Sequence, residues 1–287
     1  MKKRLLLTDK VAIVTGGAGI LGMAVARRFL KEGAKVVVAD SNGPLLDKNV
    51  RALEKTYGAA VSGIRTDILS APGVRNLMKR TVSTYGTIDI LVNAAAIQKP
   101  IGDLLEVPAA DWIKCVNTNI VGTMLCCKTT LPVMVAKRKG KIINFSGGGA
   151  TFPRPNFSAY GASKAAIVRF TETIAVEFAR RGIDVNAVSP GMVYTRMMKE
   201  IIDAGKAALA DYEGALKVRA GGDSPELTAD LCAFLASGES DGISGKLLSA
   251  VWDDRKGMPG KAKAMTNSSL YTLRRIDNRT YFEKKKR

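Results

Sequence analysis

The sequence predicts an α/β fold: a doubly wound, three-layer sandwich with a mostly parallel sheet of about seven strands. Three observations predict it. Short β-branched runs alternate with longer helical segments along the chain. Several of those runs are nearly all apolar, as strands are when helices cover both faces of a parallel sheet. A glycine-rich turn joins the first strand to the first helix.

The strands are Lys10–Thr15 (KVAIVT), Ala34–Asp40 (AKVVVAD), Val61–Asp67 (VSGIRTD), Ile88–Asn93 (IDILVN), Lys141–Ser146 (KIINFS) and Ile183–Ser189 (IDVNAVS). A last short strand is expected near Lys246–Ser249, after a glycine turn. Helical periodicity falls near 20–32, 44–57, 73–85, 108–137, 158–181 and 225–236. Alternation of this kind means βαβ crossovers, whose right-handedness gathers the ligand-bearing strand ends along one edge. Gly191–Asp223 has no clear strand and mixes Met, Gly and charge, so it is expected to form a mobile flap over a site. No internal repeat of 20–50 residues appears. After Trp252 the composition turns basic and is punctuated by Gly and Pro. The chain therefore divides into one domain over 1–252, carrying cofactor and catalytic sites, and a basic C-terminal extension over 253–287.

The first turn reads Gly17-Ala-Gly19-Ile-Leu-Gly22, a GxGxxG pattern that follows a strand and enters a helix. Glycines there permit a tight turn and close approach of backbone to a pyrophosphate at the helix N-terminus. Asp40 ends the second strand, where an acid accepts hydrogen bonds from an adenosine ribose 2′-hydroxyl and repels a 2′-phosphate. No Lys or Arg stands at Ser41, Asn42 or Gly43 to receive that phosphate, so NAD is favoured over NADP.

Bulk properties narrow the chemistry. The 287-residue chain is 46% hydrophobic, enough for a sizeable core. Its apolar runs stop short of a membrane span, so neither a transmembrane helix nor a membrane partner is expected. Met1–Leu7 begins like a signal peptide, but Thr8-Asp9-Lys10 ends it, and a cytoplasmic location is expected. There is no histidine, and the four cysteines show no CxxC spacing, which argues against a zinc site and removes Ser-His-Asp and Cys-His catalysis. From Arg255 onward, eleven Lys and Arg stand against Asp277 and Glu283, leaving +9 of a total charge of +18. Such a tail can attract an anionic partner, or can simply be solvated.

Tyr160 and Lys164 are four apart on a helical segment and share one face. A phenol ordinarily titrates near 10, and a neighbouring ammonium favours the phenolate, as acid–base catalysis requires. Three serines lie near enough to assist: Ser146, Ser158 and Ser163.

TGGAGILG, Asp40, Asp67, NAAA (Asn93–Ala96), Asn119, Ser146, YGASK (Tyr160–Lys164) and SPGMVYT (Ser189–Thr195) occur in the order found in short-chain dehydrogenases/reductases. Over roughly residues 8–250 the chain resembles the classical-type branch of that family, which implies a Rossmann-type fold. The resemblance implies that Tyr160 exchanges the hydroxyl proton while Lys164 lowers its pKa and holds the nicotinamide ribose. Asn119 would anchor a water joining Lys164 to solvent. Gly16, Gly17, Gly19, Ile20 and Gly22 would line the pyrophosphate turn, and Asp67 would meet the adenine edge. Asn93 and Ala94 would pass beneath the adenosine, with Pro190, Gly191 and Thr195 at the nicotinamide end.

Two departures stand out. Ile20 occupies a position that is usually glycine in the classical signature, and TGGAGILG fits the extended branch's TGxxGxxG instead. The family's serine often lies thirteen residues before the tyrosine, which lands on Gly147. Ser146 is one residue further upstream, at a strand end, and is the expected catalytic serine. Ser158 should point away from Tyr160, and Ser163 reads as a packing position.

The leading expectation is an NAD(H)-dependent oxidoreductase that interconverts a secondary alcohol and a ketone. Its substrate would be a small molecule of sugar type, or otherwise polar or anionic. A 3-oxoacyl-thioester reductase is the alternative, and Asp40 argues against it because those enzymes mostly use NADP. A non-catalytic dinucleotide sensor or nucleic-acid-binding protein is a third; the Tyr160–Lys164–Asn119 set opposes it and only the basic tail favours it. The long helical segments 108–137 and 158–181 carry apolar positions beyond one sheet face. With the resemblance, they suggest a homo-oligomer, tetramer or dimer.

Overall fold

The computed structural model describes residues 5–266 and 268–276. Seven strands form the sheet: β1 (Val11–Thr15), β2 (Lys35–Asp40), β3 (Val61–Arg65), β4 (Ile90–Asn93), β5 (Gly140–Phe145), β6 (Ile183–Ser189) and β7 (Leu247–Ser249). Their order is β3-β2-β1-β4-β5-β6-β7, and every pairing is parallel. The chain runs outward from β1 on one side and resumes beside it with β4, so the strand order reverses between β1 and β4.

Among the described residues, ten α-helices connect and flank these strands: α1 (Ile20–Lys31), α2 (Gly43–Tyr57), α3 (Ala71–Tyr85), α4 (Ala109–Val116), α5 (Gly122–Ala136), α6 (Ser158–Phe178), α7 (Arg196–Ala204), α8 (Ala210–Gly221), α9 (Pro225–Ala236) and α10 (Ala262–Thr266). Alternate residues of one strand feed opposite cores, as the two-residue period of a strand requires. Ala12, Val14, Val36, Val38, Ile90 and Val92 meet α1, α2 and α9 on one face. Ile13, Val37, Leu91, Ile142 and Val185 meet α3, α5 and α6 on the other.

Three expectations are corrected. The single helix expected over 108–137 is α4 and α5 joined by a π-helical turn, Asn117–Val121. By length and composition, Ala109–Ala136 could cross a membrane. Here Cys126, Cys127, Leu131 and Met134 bury it against the sheet. The stretch Gly191–Asp223 lacks a strand, as expected, but folds into α7 and α8. Ile201, Ala208 and Ala215 pack there in a third apolar cluster with Tyr160.

The extension is no loose appendage over its described residues. Met258 and Met265 are buried in the same core as α1 and α9. The Leu247 N–H donates to the Tyr271 carbonyl at 2.7 Å, and Lys246 Nζ donates to the Ser268 and Leu270 carbonyls. Buried Glu172 on α6 accepts from the Leu273 N–H at 2.7 Å and from Arg274 at 2.9 Å, and pairs with Arg169. The basic composition had masked the two methionines that anchor the segment. The last acids and bases of the tail, Asp277 through Arg287, lie outside the described residues.

Truncating a buried methionine removes apolar contact and leaves a cavity. Met265→Ala should therefore lower unfolding free energy by about 2 kcal/mol or more in urea titration. An unchanged midpoint would mean that this segment does not share the core.

Candidate active site

The strand-order reversal places a cleft at the C-terminal ends of β1 and β4, where open parallel sheets bind ligands. Its volume is about 700 Å³, and Gly16, Gly19, Ile20, Gly22, Asp40, Asp67, Ala94 and Thr195 contribute to its lining. The turn between β1 and α1 tolerates no side chain at its tight points. Gly16 has φ +63°, and a Cβ on it would lie 2.6 Å from the Ala95 backbone. On Gly22 a Cβ would come within 2.4 Å of the Gly16 carbonyl oxygen, and on Gly17 within 2.6 Å of Val38 Cγ1. Gly19 caps α1, and half-exposed Ile20 begins the helix at the cleft's lip. This cradle of close backbone at a helix N-terminus suits the pyrophosphate of a dinucleotide.

Asp40 ends β2 with Oδ2 accepting from the Ala18 N–H at 3.1 Å and Oδ1 from the Asn42 N–H at 3.0 Å. The carboxylate thus braces the glycine turn while lining the cleft. Arg65 stands close by, its Nε donating to the Ser41 carbonyl at 3.3 Å. Sequence reading of 41–43 missed this cation because it arrives from the neighbouring strand β3. Asp67 is exposed and caps its own turn, accepting from the Leu69 N–H at 2.9 Å.

Asn93 is buried behind the cleft rather than lining it. Its Nδ2 donates to Asn144 Oδ1 at 2.9 Å, which ties β4 to β5, and its Oδ1 has no partner. Pro190 and Gly191 follow β6. The Pro190 carbonyl accepts from Thr228 Oγ1 at 2.8 Å, and Gly191 takes φ +84°. Neither contributes to the cleft lining, whereas Thr195, the N-cap of α7, does.

Tyr160 lies in the first turn of α6 with Lys164 one turn on, both buried. Lys164 Nζ donates to the Phe145 carbonyl at 2.8 Å and sits 5.4 Å from the centroid of the Tyr160 ring. Burial pushes the Tyr160 phenol up to about 12, with Arg154 opposing the rise and Cys115 adding to it. Burial also brings the Lys164 ammonium down to about 8, with Cys115 opposing. Arg154 is thus a cation that opposes the rise of the phenol's pKa. Lys164 is charged below about pH 8 and loses that charge as pH rises through it.

Asn119 sits on the π-helical turn, where the wider coil accompanies many functional sites. Its Oδ1 accepts from the Ile97 N–H at 2.9 Å, while Nδ2 donates to the Ile97 carbonyl at 2.9 Å and to Ser163 Oγ at 2.8 Å. Ser163 in turn donates to the Tyr160 carbonyl at 2.8 Å. Because Ile97 also lines the cleft, Asn119 links the cofactor wall to the tyrosine helix.

Ser146 requires a correction. Its hydroxyl donates to the Lys164 carbonyl at 3.3 Å, so it faces the α6 backbone. The residue facing the phenol is Gly147, on which a Cβ would lie 2.8 Å from Tyr160 Oη. Ser158 accepts from Trp112 Nε1 at 3.1 Å and takes no part. Sequence reasoning also missed Arg154, whose guanidinium centre is 5.5 Å from the Tyr160 ring centroid. The one signal for it was a basic residue held between Pro153 and Pro155 in the loop leading to the tyrosine. Buried Gln98 was missed as well; its Nε2 donates to the Met197 carbonyl, pinning α7 beside the cleft.

A dinucleotide cleft beside a buried tyrosine–lysine pair, on this sheet order, defines an oxidoreductase acting on CH–OH groups. The sequence profile described as short chain dehydrogenase matches residues 10–206, and the chain belongs to that family. It is 32% identical over 246 residues to dehydrogenase/reductase SDR family member 4 of Sus scrofa, covering 86% of this chain and 87% of that protein. It is also 32% identical over 250 residues to the (2S)-[(R)-hydroxy(phenyl)methyl]succinyl-CoA dehydrogenase subunit BbsD of Thauera aromatica, covering 84% and 95%. Among solved structures, levodione reductase superposes with a TM-score of 0.78 at 27% identity, covering 90% of this chain and 99% of that one. The family binds nicotinamide dinucleotides, and the residues of the glycine turn fit one.

The contact of 2.4 Å at Gly22 is with backbone, which cannot swing aside. Gly22→Ala should weaken NADH binding at least about tenfold by fluorescence titration, since the turn must open to admit the methyl group. Undiminished affinity would show that dinucleotide binding does not depend on this turn.

Proposed function

We propose that the chain uses NAD(H) to interconvert a secondary alcohol and a ketone, with Tyr160 as the acid/base. The observation that carries this is the buried Tyr160–Lys164 pair on α6, joined to the cleft wall through Asn119 and Ile97. When bound, the cofactor supplies or accepts the hydride. Tyr160 Oη holds the proton exchanged with the substrate oxygen. Lys164, already oriented by the Phe145 carbonyl, has further N–H donors to offer the nicotinamide ribose. Asn119 orients the cofactor wall and the tyrosine helix relative to each other, and the water expected at Asn119 would extend from this link.

Asp40 supports NAD rather than NADP, because its carboxylate lines the cleft at the end of β2. Arg65 is the nearest candidate counterweight. A polar or anionic substrate suits the cations Arg154 and Arg196 around the tyrosine and α7. A thioester substrate is the second reading, favoured by the relative whose name specifies a succinyl-CoA dehydrogenase. We further read the chain as a cytoplasmic homo-oligomer, dimer or tetramer. Val176 on α6, 80% exposed, is the kind of apolar position that a partner subunit would cover.

Tyr160→Phe should reduce turnover by about 100-fold or more while leaving NADH affinity within about threefold. A variant that retains activity would remove Tyr160 from the acid–base role. The cofactor assignment has its own measurement. Wild type should bind NADH more tightly than NADPH, and Asp40→Ala should narrow that preference by about tenfold. A preference for NADPH in the wild type would reverse the assignment.

A further inference from the structure

Beside the phenol of Tyr160, this chain presents backbone rather than a side chain. A Cβ on Gly147 would lie 2.8 Å from Tyr160 Oη. Gly147 does not have a positive φ, so its backbone does not call for glycine. Ser146, the adjacent hydroxyl, is committed to the Lys164 carbonyl. Neither residue offers a side-chain donor to a substrate oxygen held at the phenol.

Arg154 lies against the same glycine run, beside Gly148 and Gly149. Its guanidinium stacks 3.8 Å from the Phe157 ring centroid and 5.5 Å from that of Tyr160. One terminal nitrogen, Nη1, is 3.8 Å from where a Gly148 Cβ would be. The side chain is only 11% exposed, and Asp211 on α8 holds it through Nε alone, at 3.0 Å. The terminal nitrogens make no hydrogen bond among the described residues, and neither is a sealed, unpaired buried donor. Phe157 and Asp211 thus orient the cation while its outer donors stay available. A guanidinium stays charged across the working pH range, and one donor pair can meet an oxygen while Nε keeps its carboxylate. Lys164 already spends one donor on the Phe145 carbonyl, at 2.8 Å.

We propose that Arg154 donates a charge-assisted hydrogen bond to the reacting oxygen of the substrate, in place of the side chain that Gly147 lacks. This rests on Tyr160 being the acid/base. In the oxidation direction the O–H bond of the alcohol breaks and its proton passes to Tyr160 in its phenolate form, giving the neutral phenol that burial favours. The C–H bond gives up its hydride to the nicotinamide cofactor, and the carbonyl forms. Arg154 exchanges no proton; it stabilises the negative charge that builds on the oxygen between these events.

The test uses the full chain with NADH, and acetate as the probe, its carboxylate standing in for the charged oxygen. Arg154→Gln should keep NADH affinity, weaken acetate binding to the NADH complex at least about tenfold, and lower kcat roughly 100- to 1000-fold. Asp211→Asn, which keeps the guanidinium, should hold acetate binding within about threefold. If Arg154→Gln fails to bind NADH, Arg154→Lys carries the test: one flexible donor cannot serve both Asp211 and the oxygen, and kcat should fall about tenfold or more. Wild type that binds no acetate, unchanged acetate binding in the Arg154 variant, or kcat within about fivefold of wild type overturns the proposal. So does equal loss in Asp211→Asn, which would make Arg154 a tether for α8. A wild type that binds NADH and acetate but oxidises no alcohol would refute the proposed function, while the acetate comparison would still decide the Arg154 site.

Discussion

A seven-stranded sheet, all parallel and covered on both faces, constrains everything else in this molecule. Its interior strands are sealed by α1, α2 and α9 on one face and α3, α5 and α6 on the other. Right-handed crossovers then deliver every strand's C-terminal end to the same rim. Gly16 follows β1, Asp40 ends β2, Asn93 ends β4, Ser146 and Gly147 follow β5, and Pro190 follows β6. Residues scattered over more than 170 positions thus meet at one edge with no element built specially to hold them. The glycine turn at β1 is the point of closest approach, where backbone replaces side chain so that a phosphate can come near.

Buried polar links hold this rim in register. Asn93 and Asn144 bond across β4 and β5, and Asn144 Nδ2 continues to Thr171 on α6 at 2.9 Å. Asn119 clasps both sides of the Ile97 peptide and reaches Ser163, which bonds to the carbonyl of Tyr160. One chain of hydrogen bonds therefore fixes the tyrosine helix to the sheet, and a second fixes it to the loop after β4. Buried amides of this kind are costly when unpaired and directional when paired, so they specify position more than they add stability. The partnerless Asn93 Oδ1 is the exception, and it sits directly behind the dinucleotide cleft.

Sequence patterning located the strands and most helices to within two or three residues because periodicity follows from which face is buried. It failed where a single residue decides direction. Successive side chains at a strand end point to opposite faces, so the step from Ser146 to Gly147 exchanges the α6 backbone for the phenol. Motif spacing within a loop does not resolve that step. Arg65 was missed for another reason, since it reaches Ser41 from the neighbouring strand β3, and Arg154 because its aim towards the phenol depends on Asp211 of α8. The extension misled through composition, since Met258 and Met265 are two apolar contacts among many charges.

By itself the sequence determined the layered parallel fold, the glycine turn, the acid at the end of β2 and the Tyr160–Lys164 face. Those depend on local geometry, namely helical and strand periods and the conformations that only glycine allows. Tertiary structure alone decided which groups meet the phenol. Gly147 and Arg154 surround it, Ser146 turns away, and Lys164 is held by Phe145. Their distances and burial arise only when β5, α6 and α8 are packed together, and burial is what moves the two pKa values in opposite directions.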